Sequence, residues 1–207
     1  LLGLPWKTFV PPMMFNNSGN IGIPLAVLAW GETALPAAVI LFMVENLLHF
    51  SLGARMLDAN ARLLTLWRIP AVGATFAGLA VSLLGLQVWG PLLSALQMLG
   101  DIAIPLLLFA LGVRMKTIRF TDIGAPLVGA FLRPALGVAI AWCAAQLLGL
   151  GARDTAMLIV FGALPPAVLN FLFAERYRQE PERVASIVLL GNLAAVLVLP
   201  LVLAAVL

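Results

Sequence analysis

The chain has 207 residues, 63 % of them hydrophobic and 10 % charged, against roughly 45–50 % apolar and 25 % charged residues in an ordinary soluble domain. A body of this size has no interior large enough to hide that apolar surface from water, which excludes a soluble enzyme, a nucleic-acid-binding domain and a disordered tail. An all-α polytopic membrane protein is left, because the long Leu, Ala, Val and Ile runs do not alternate in polarity as transmembrane strands do.

At about 20 apolar residues per crossing, the runs mark seven spans: residues 8–30, 34–53, 70–89, 98–113, 125–148, 155–174 and 184–206. The first is poorly built as a helix. Asn16, Asn17, Ser18, Gly19, Asn20, Gly22 and Pro24 crowd its middle; the proline removes a backbone donor, and each glycine costs about 1 kcal/mol in a helix. Hydrocarbon offers no water to freed backbone groups, so such a break lies inside protein or lines a cavity. Either it is a structural kink with asparagines bonded between helices, or it is a binding site.

The second span carries Glu45, the acidic residue deepest in any span, with His49 one turn further along the same face. An intramembrane carboxylate is costly, which makes the pair candidates for proton or ion coupling. A hydrogen-bonded Glu45–His49 or Glu45–Asn46 cluster is the structural alternative. In the fifth span Arg133 lies about eight residues in, roughly 12 Å at helical rise, and is expected to snorkel to the nearer surface. The sixth span repeats the irregularity of the first, with Gly162-Ala163-Leu164-Pro165-Pro166-Ala167-Val168-Leu169-Asn170 at its centre. In the seventh, Asn192 stands where Asn46 stands in the second under a uniform shift of 146 residues. That shift also sets Pro24 against Asn170 and Asn20 against Pro166, and it adds Asn192 to the coupling candidates.

Lys7, Arg55, Arg62, Arg68, Arg114, Lys116, Arg119, Arg176, Arg178 and Arg183 fall on one side of these spans, and Arg153 alone on the other. This positive-inside bias places the N-terminus of the chain in the cytoplasm and its C-terminus outside a cell (inner) membrane. It also explains the net charge of +3 without a nucleic-acid partner. The first span then enters from the cytoplasm and the sixth from outside, so the two breaks meet near the midplane, as in inverted-repeat transporters. Each second half-helix aims its positive dipole end inward, which suits an anion. Pro24 and Pro166 are expected early in those second halves, where a missing N–H does little harm.

One cysteine, Cys143, and one histidine leave no disulfide or metal cluster, and no nucleophile–base pair or phosphate loop points to an enzyme. No two glycines stand four apart, so no GxxxG face marks a dimer; a homodimer stays open. The chain opens on Leu1 with no initiator Met and no signal peptide, which suggests an N-terminal truncation.

The stretch Asn16-Asn17-Ser18-Gly19-Asn20-Ile21-Gly22-Ile23-Pro24-Leu25, then Phe109-Ala110-Leu111-Gly112, Ala163-Leu164-Pro165-Pro166 and Phe173-Ala174-Glu175-Arg176-Tyr177, resembles the auxin efflux carrier family of permeases essentially from end to end. That resemblance implies a bile acid:sodium symporter-like fold of ten helices in two inverted five-helix repeats, the fourth and ninth helices broken and crossing at the substrate site. Seven of the ten are represented: residues 1–54 close the first repeat, 55–69 form a short cytoplasmic connection of bacterial type, and 70–207 make the second repeat. By the same resemblance Asn16, Asn17, Asn20, Pro24, Pro165, Pro166 and Asn170 form the crossing. The implied function is a secondary transporter moving small organic anions, such as malate or malonate, by alternating access. No cofactor is implied, and H+ and Na+ are the candidate coupling ions. A sodium-coupled symporter of the bile acid type and a passive channel are the competing readings.

Overall fold

The computed structural model describes residues 5–61, 70–115 and 123–207. Arg62, Arg68, Lys116 and Arg119 lie outside the described residues, as does most of the 55–69 connection. Among the described residues ten α-helices follow one another: α1 Trp6–Met14, α2 Ile23–Trp30, α3 Leu35–Leu48, α4 Ala54–Leu57, α5 Pro70–Leu83, α6 Gly90–Met115, α7 Gly124–Leu148, α8 Ala152–Ala163, α9 Leu169–Arg176 and α10 Pro181–Val206. Among the described residues, three helical stretches are long and apolar enough to cross a membrane: Glu32–Leu57, Gly124–Leu148 and Pro181–Val206. The first of these joins α3 to α4 through a π-turn at His49–Gly53. Ile40, Val44, Leu99, Phe131, Ile140, Val196 and Leu197 stand exposed along α3, α6, α7 and α10, an apolar surface suited to lipid rather than water.

The first and sixth expected spans are each cut in two. α1 stops at Met14, Phe15 is extended, and a π-turn over Ser18–Gly22 leads into α2. Pro24 sits in the first turn of α2, which runs on directly from the π-turn. α8 stops at Ala163, and α9 begins only at Leu169. Pro166 is therefore not inside the second half-helix, as its sequence position suggests, but in the break itself. The reason is local. A proline drives the residue before it out of the helical region; Leu164, before Pro165, is extended at φ −57°, ψ 146°, and the tandem ring does the same to Pro165. The third and fourth spans also shift. α5 ends at Leu83, just before Gly85 turns the chain at φ +61°. α6 starts at Gly90 and carries Ser94 and Gln97 within it.

Small side chains bring the halves together. Ala26, Ala34, Ala38, Met157, Phe161, Leu164, Ala195 and Leu199 pack α2, α3, α8 and α10 into one core, and small residues are what allow helices to approach closely without a hydrophobic drive. The approach of α7 to α8 is closest at Gly137 and Gly162, where a Cβ on either would collide with the other's backbone. Phe50, Ala54 and Leu57 meet Phe173 in a second cluster that ties the end of the long α3–α4 helix to α9.

Candidate functional site

The two breaks lie against each other in antiparallel fashion, paired at Asn16 and Pro166. The N–H of Asn17 donates to the Pro165 carbonyl at 2.8 Å, and the N–H of Ala167 donates to the Phe15 carbonyl at 3.0 Å. A buried carbonyl without a donor costs about 1–3 kcal/mol, so where the remaining ones go is a complete accounting question. The tandem prolines create two of them. Pro165 and Pro166 stand four residues after Phe161 and Gly162 and have no N–H to give. At the first, Asn16 Nδ2 donates to Phe161 O at 2.9 Å, a carbonyl that the Leu164 N–H also reaches at 3.3 Å. Arg133 Nη1 fills the second, donating to Gly162 O at 2.9 Å. Asn192 Nδ2 donates to Pro166 O at 3.1 Å, and Asn170 Nδ2 to Phe15 O at 3.0 Å. Three asparagine amides and one guanidinium thus stand in for the helical donors that the breaks remove.

A cavity of about 230 Å³ opens beside this junction. Its polar lining comes from Asn16, Asn17, Ser18, Asn20, Glu45, Asn46 and His49, and Phe42, Phe50, Val168 and Leu172 supply apolar walls. Glu45 accepts from the Ser18 hydroxyl at 3.0 Å through one carboxylate oxygen, and its other oxygen stands 3.5 Å from His49 Nδ1. His49 is buried and stacks flat on Phe15, ring centroids 4.2 Å apart, with Phe173 against its other side. Neither imidazole nitrogen has a hydrogen-bond partner, and neither has Glu45 Oε1, Asn16 Oδ1 or Asn170 Oδ1. Among the described residues, the N–H groups of Gly19 and Asn20 at the start of the π-turn and the side chains of Asn20 and Asn46 are also uncommitted.

Of the residues singled out from the sequence, Asn16, Asn17, Asn20, Glu45 and His49 line the cavity. Pro24, Pro165, Pro166, Asn170 and Asn192 do not; the prolines shape the breaks, and the two asparagines bond them together. Glu45 is partnered by Ser18 and His49 rather than by Asn46. Arg133 does not snorkel: it is 4 % exposed and turned toward Gly162, because that carbonyl has lost its donor and Gly137, one turn on, lets α7 lie against α8. Ser18, Asn46 and Phe42 belong to the lining as well. Ser18 and Asn46 adjoin residues already singled out, whereas nothing in the linear pattern marks Phe42.

Cut helices thus meet inside an apolar bundle, beside a small polar cavity. A family profile described as Membrane transport protein matches residues 59–203. The chain belongs to that family, the auxin efflux carrier permeases. It is 29 % identical over 199 residues to a Rhizobium meliloti (strain 1021) protein named "Putative malonate transporter", over 88 % of this chain and 61 % of that one. The chain therefore spans about three-fifths of the length of the curated relative it matches. No solved structure matches it.

Proposed function

We propose that the protein carries small carboxylates across the cell membrane by alternating access, with the substrate held in the cavity where the two breaks meet. The observation that carries this reading is the concentration of uncommitted polar groups there, in a bundle otherwise lined with alkyl and aromatic side chains. The cavity holds roughly eight waters at about 30 Å³ each and falls below the roughly 300–1,000 Å³ of sites for drug-sized ligands. A three- or four-carbon acid fits that room. The free N–H groups at the start of the π-turn and the amides of Asn20 and Asn46 are donors suited to a carboxylate, and the helix dipole there favours negative charge.

An ionised Glu45 would repel such a substrate. Proton coupling resolves the conflict: Glu45 takes up a proton as the anion enters, so that the cavity gains no net charge. Among the described residues, the titratable group set against Glu45 is His49 on its own helix, with the Ser18 hydroxyl from the π-turn. The sidedness of the basic residues favours a cytoplasmic N-terminus, and the relation between the two breaks favours the inverted-repeat arrangement, with residues 1–54 and 70–207 in different repeats. The relative's malonate label favours dicarboxylates.

The test is uptake of labelled malonate, malate and acetate into proteoliposomes containing the full chain, with neutral malonamide as control. Saturable malonate uptake, driven by an inward proton gradient and indifferent to Na+, is expected. Uptake that requires Na+ would transfer the assignment to a symporter of the bile acid type, and flux without saturation to a channel. Uptake of malonamide equal to that of malonate would overturn the reading.

A further inference from the structure

The carbonyls at the junction are satisfied in two chemically different ways. Phe15, Phe161, Pro165 and Pro166 receive neutral donors, either backbone N–H groups or asparagine amides. Gly162 alone among them receives a guanidinium. A neutral amide would cap this carbonyl equally well, and it would avoid the several kcal/mol that burying a charge costs. The charge is also incompletely used locally. Arg133 Nε is buried without a partner, and among the described residues no carboxylate stands within ion-pair distance of the group. A full positive charge is thus fixed at the cut end of α8, one residue from Phe161, whose carbonyl holds the cavity-lining Asn16.

We propose that Arg133 is the fixed cation that makes the cavity accept anions, a positioning residue that holds the end of α8 and supplies the attractive potential for the substrate carboxylate. This inference rests on the carboxylate-transport reading and names the source of its charge selectivity.

Separate variants distinguish the charge from the hydrogen bond. R133Q keeps a donor for Gly162 O and loses the charge; R133K keeps a charge that, unlike that of arginine, can be lost by deprotonation. In proteoliposomes of the full chain supplied with labelled malonate, R133Q is expected to raise KM tenfold or more while Vmax per folded molecule falls less than threefold. R133K is expected to retain a KM within about threefold of wild type at pH 6 and to lose affinity at least fivefold more than wild type does by pH 9. An unchanged KM in folded R133Q would overturn the inference. If R133Q does not fold, the R133K profile decides alone, and a KM that follows wild type at every pH overturns the inference in the same way. Absence of malonate uptake by the wild-type chain would be a failure of the functional reading, not of this one.

Discussion

Replacing Asn192 by alanine removes the donor that holds the second break to α10. Its Nδ2 donates to Pro166 O at 3.1 Å and to Val188 O at 2.7 Å, and its Oδ1 accepts from Asn17 Nδ2 at 3.4 Å. Val188 O lies within α10 and keeps its helical donor. Pro166 O has no other donor among the described residues, and Pro166 is buried. An orphaned buried carbonyl costs about 1–3 kcal/mol, and a lost interhelical bond in a membrane protein about 0.6 kcal/mol on average. Together these predict a loss of about 2–3 kcal/mol. Equilibrium unfolding in mixed micelles, followed by the fluorescence of the five tryptophans, measures it. Asn192→Asp, with no donor and a carboxylate facing the carbonyl, should lose at least as much. Asn20→Ala is the control: its side chain has no hydrogen-bond partner among the described residues, so stability should stay within about 0.5 kcal/mol while KM for malonate rises. Asn192→Ala at wild-type stability would refute the capping argument.

The other predictions follow from the same geometry. Gly191→Ala places a Cβ 2.5 Å from the rigid Pro166 ring and should cost at least about 1–3 kcal/mol of overpacking, read as a lower unfolding midpoint. Glu45→Gln, with the titratable oxygen gone, should leave malonate uptake insensitive to an imposed pH gradient; a retained gradient response would place the coupling elsewhere. His49→Phe keeps the stack on Phe15 and removes two buried nitrogens that make no hydrogen bond, together with the 3.5 Å approach of Nδ1 to Glu45, so stability should stay within about 1 kcal/mol. A loss of more than about 1 kcal/mol would show that the imidazole is bonded in the folded protein.

Much of this arrangement was legible in the chain because prolines and glycines act locally. Pro165 and Pro166 cut their helix whatever surrounds them, and hydrocarbon makes such cuts too costly to leave unpartnered. What fills the cuts was not legible. The partners of Asn16, Asn170 and Asn192 lie 145, 155 and 26 residues away in sequence, and a single sequence carries no distance of that kind. For the same reason, an asparagine that caps a carbonyl and an asparagine that faces an open cavity look alike before the helices are placed. Arg133 misled because depth alone suggests snorkelling. Its burial depends on two facts from another helix, the donor missing at Pro166 and the absence of a side chain at Gly162. The His49–Gly53 π-turn was equally hidden, since a one-residue change in helical register has no compositional mark, although π-turns often sit at functional sites.

Substrate that occupies the cavity at the two breaks should protect a single thiol placed on its wall. Cys143 is exposed and is the only cysteine, so Cys143→Ser provides a clean background. Leu172→Cys then puts a thiol on the apolar wall of the cavity without disturbing a polar group, and Leu147→Cys, on the exposed surface of α7, serves as the reference. Saturating malonate should slow modification of the Leu172→Cys thiol by a small methanethiosulfonate at least fivefold, with no effect at position 147 and none from malonamide. Equal modification rates with and without malonate, in protein that still transports it, would contradict the account.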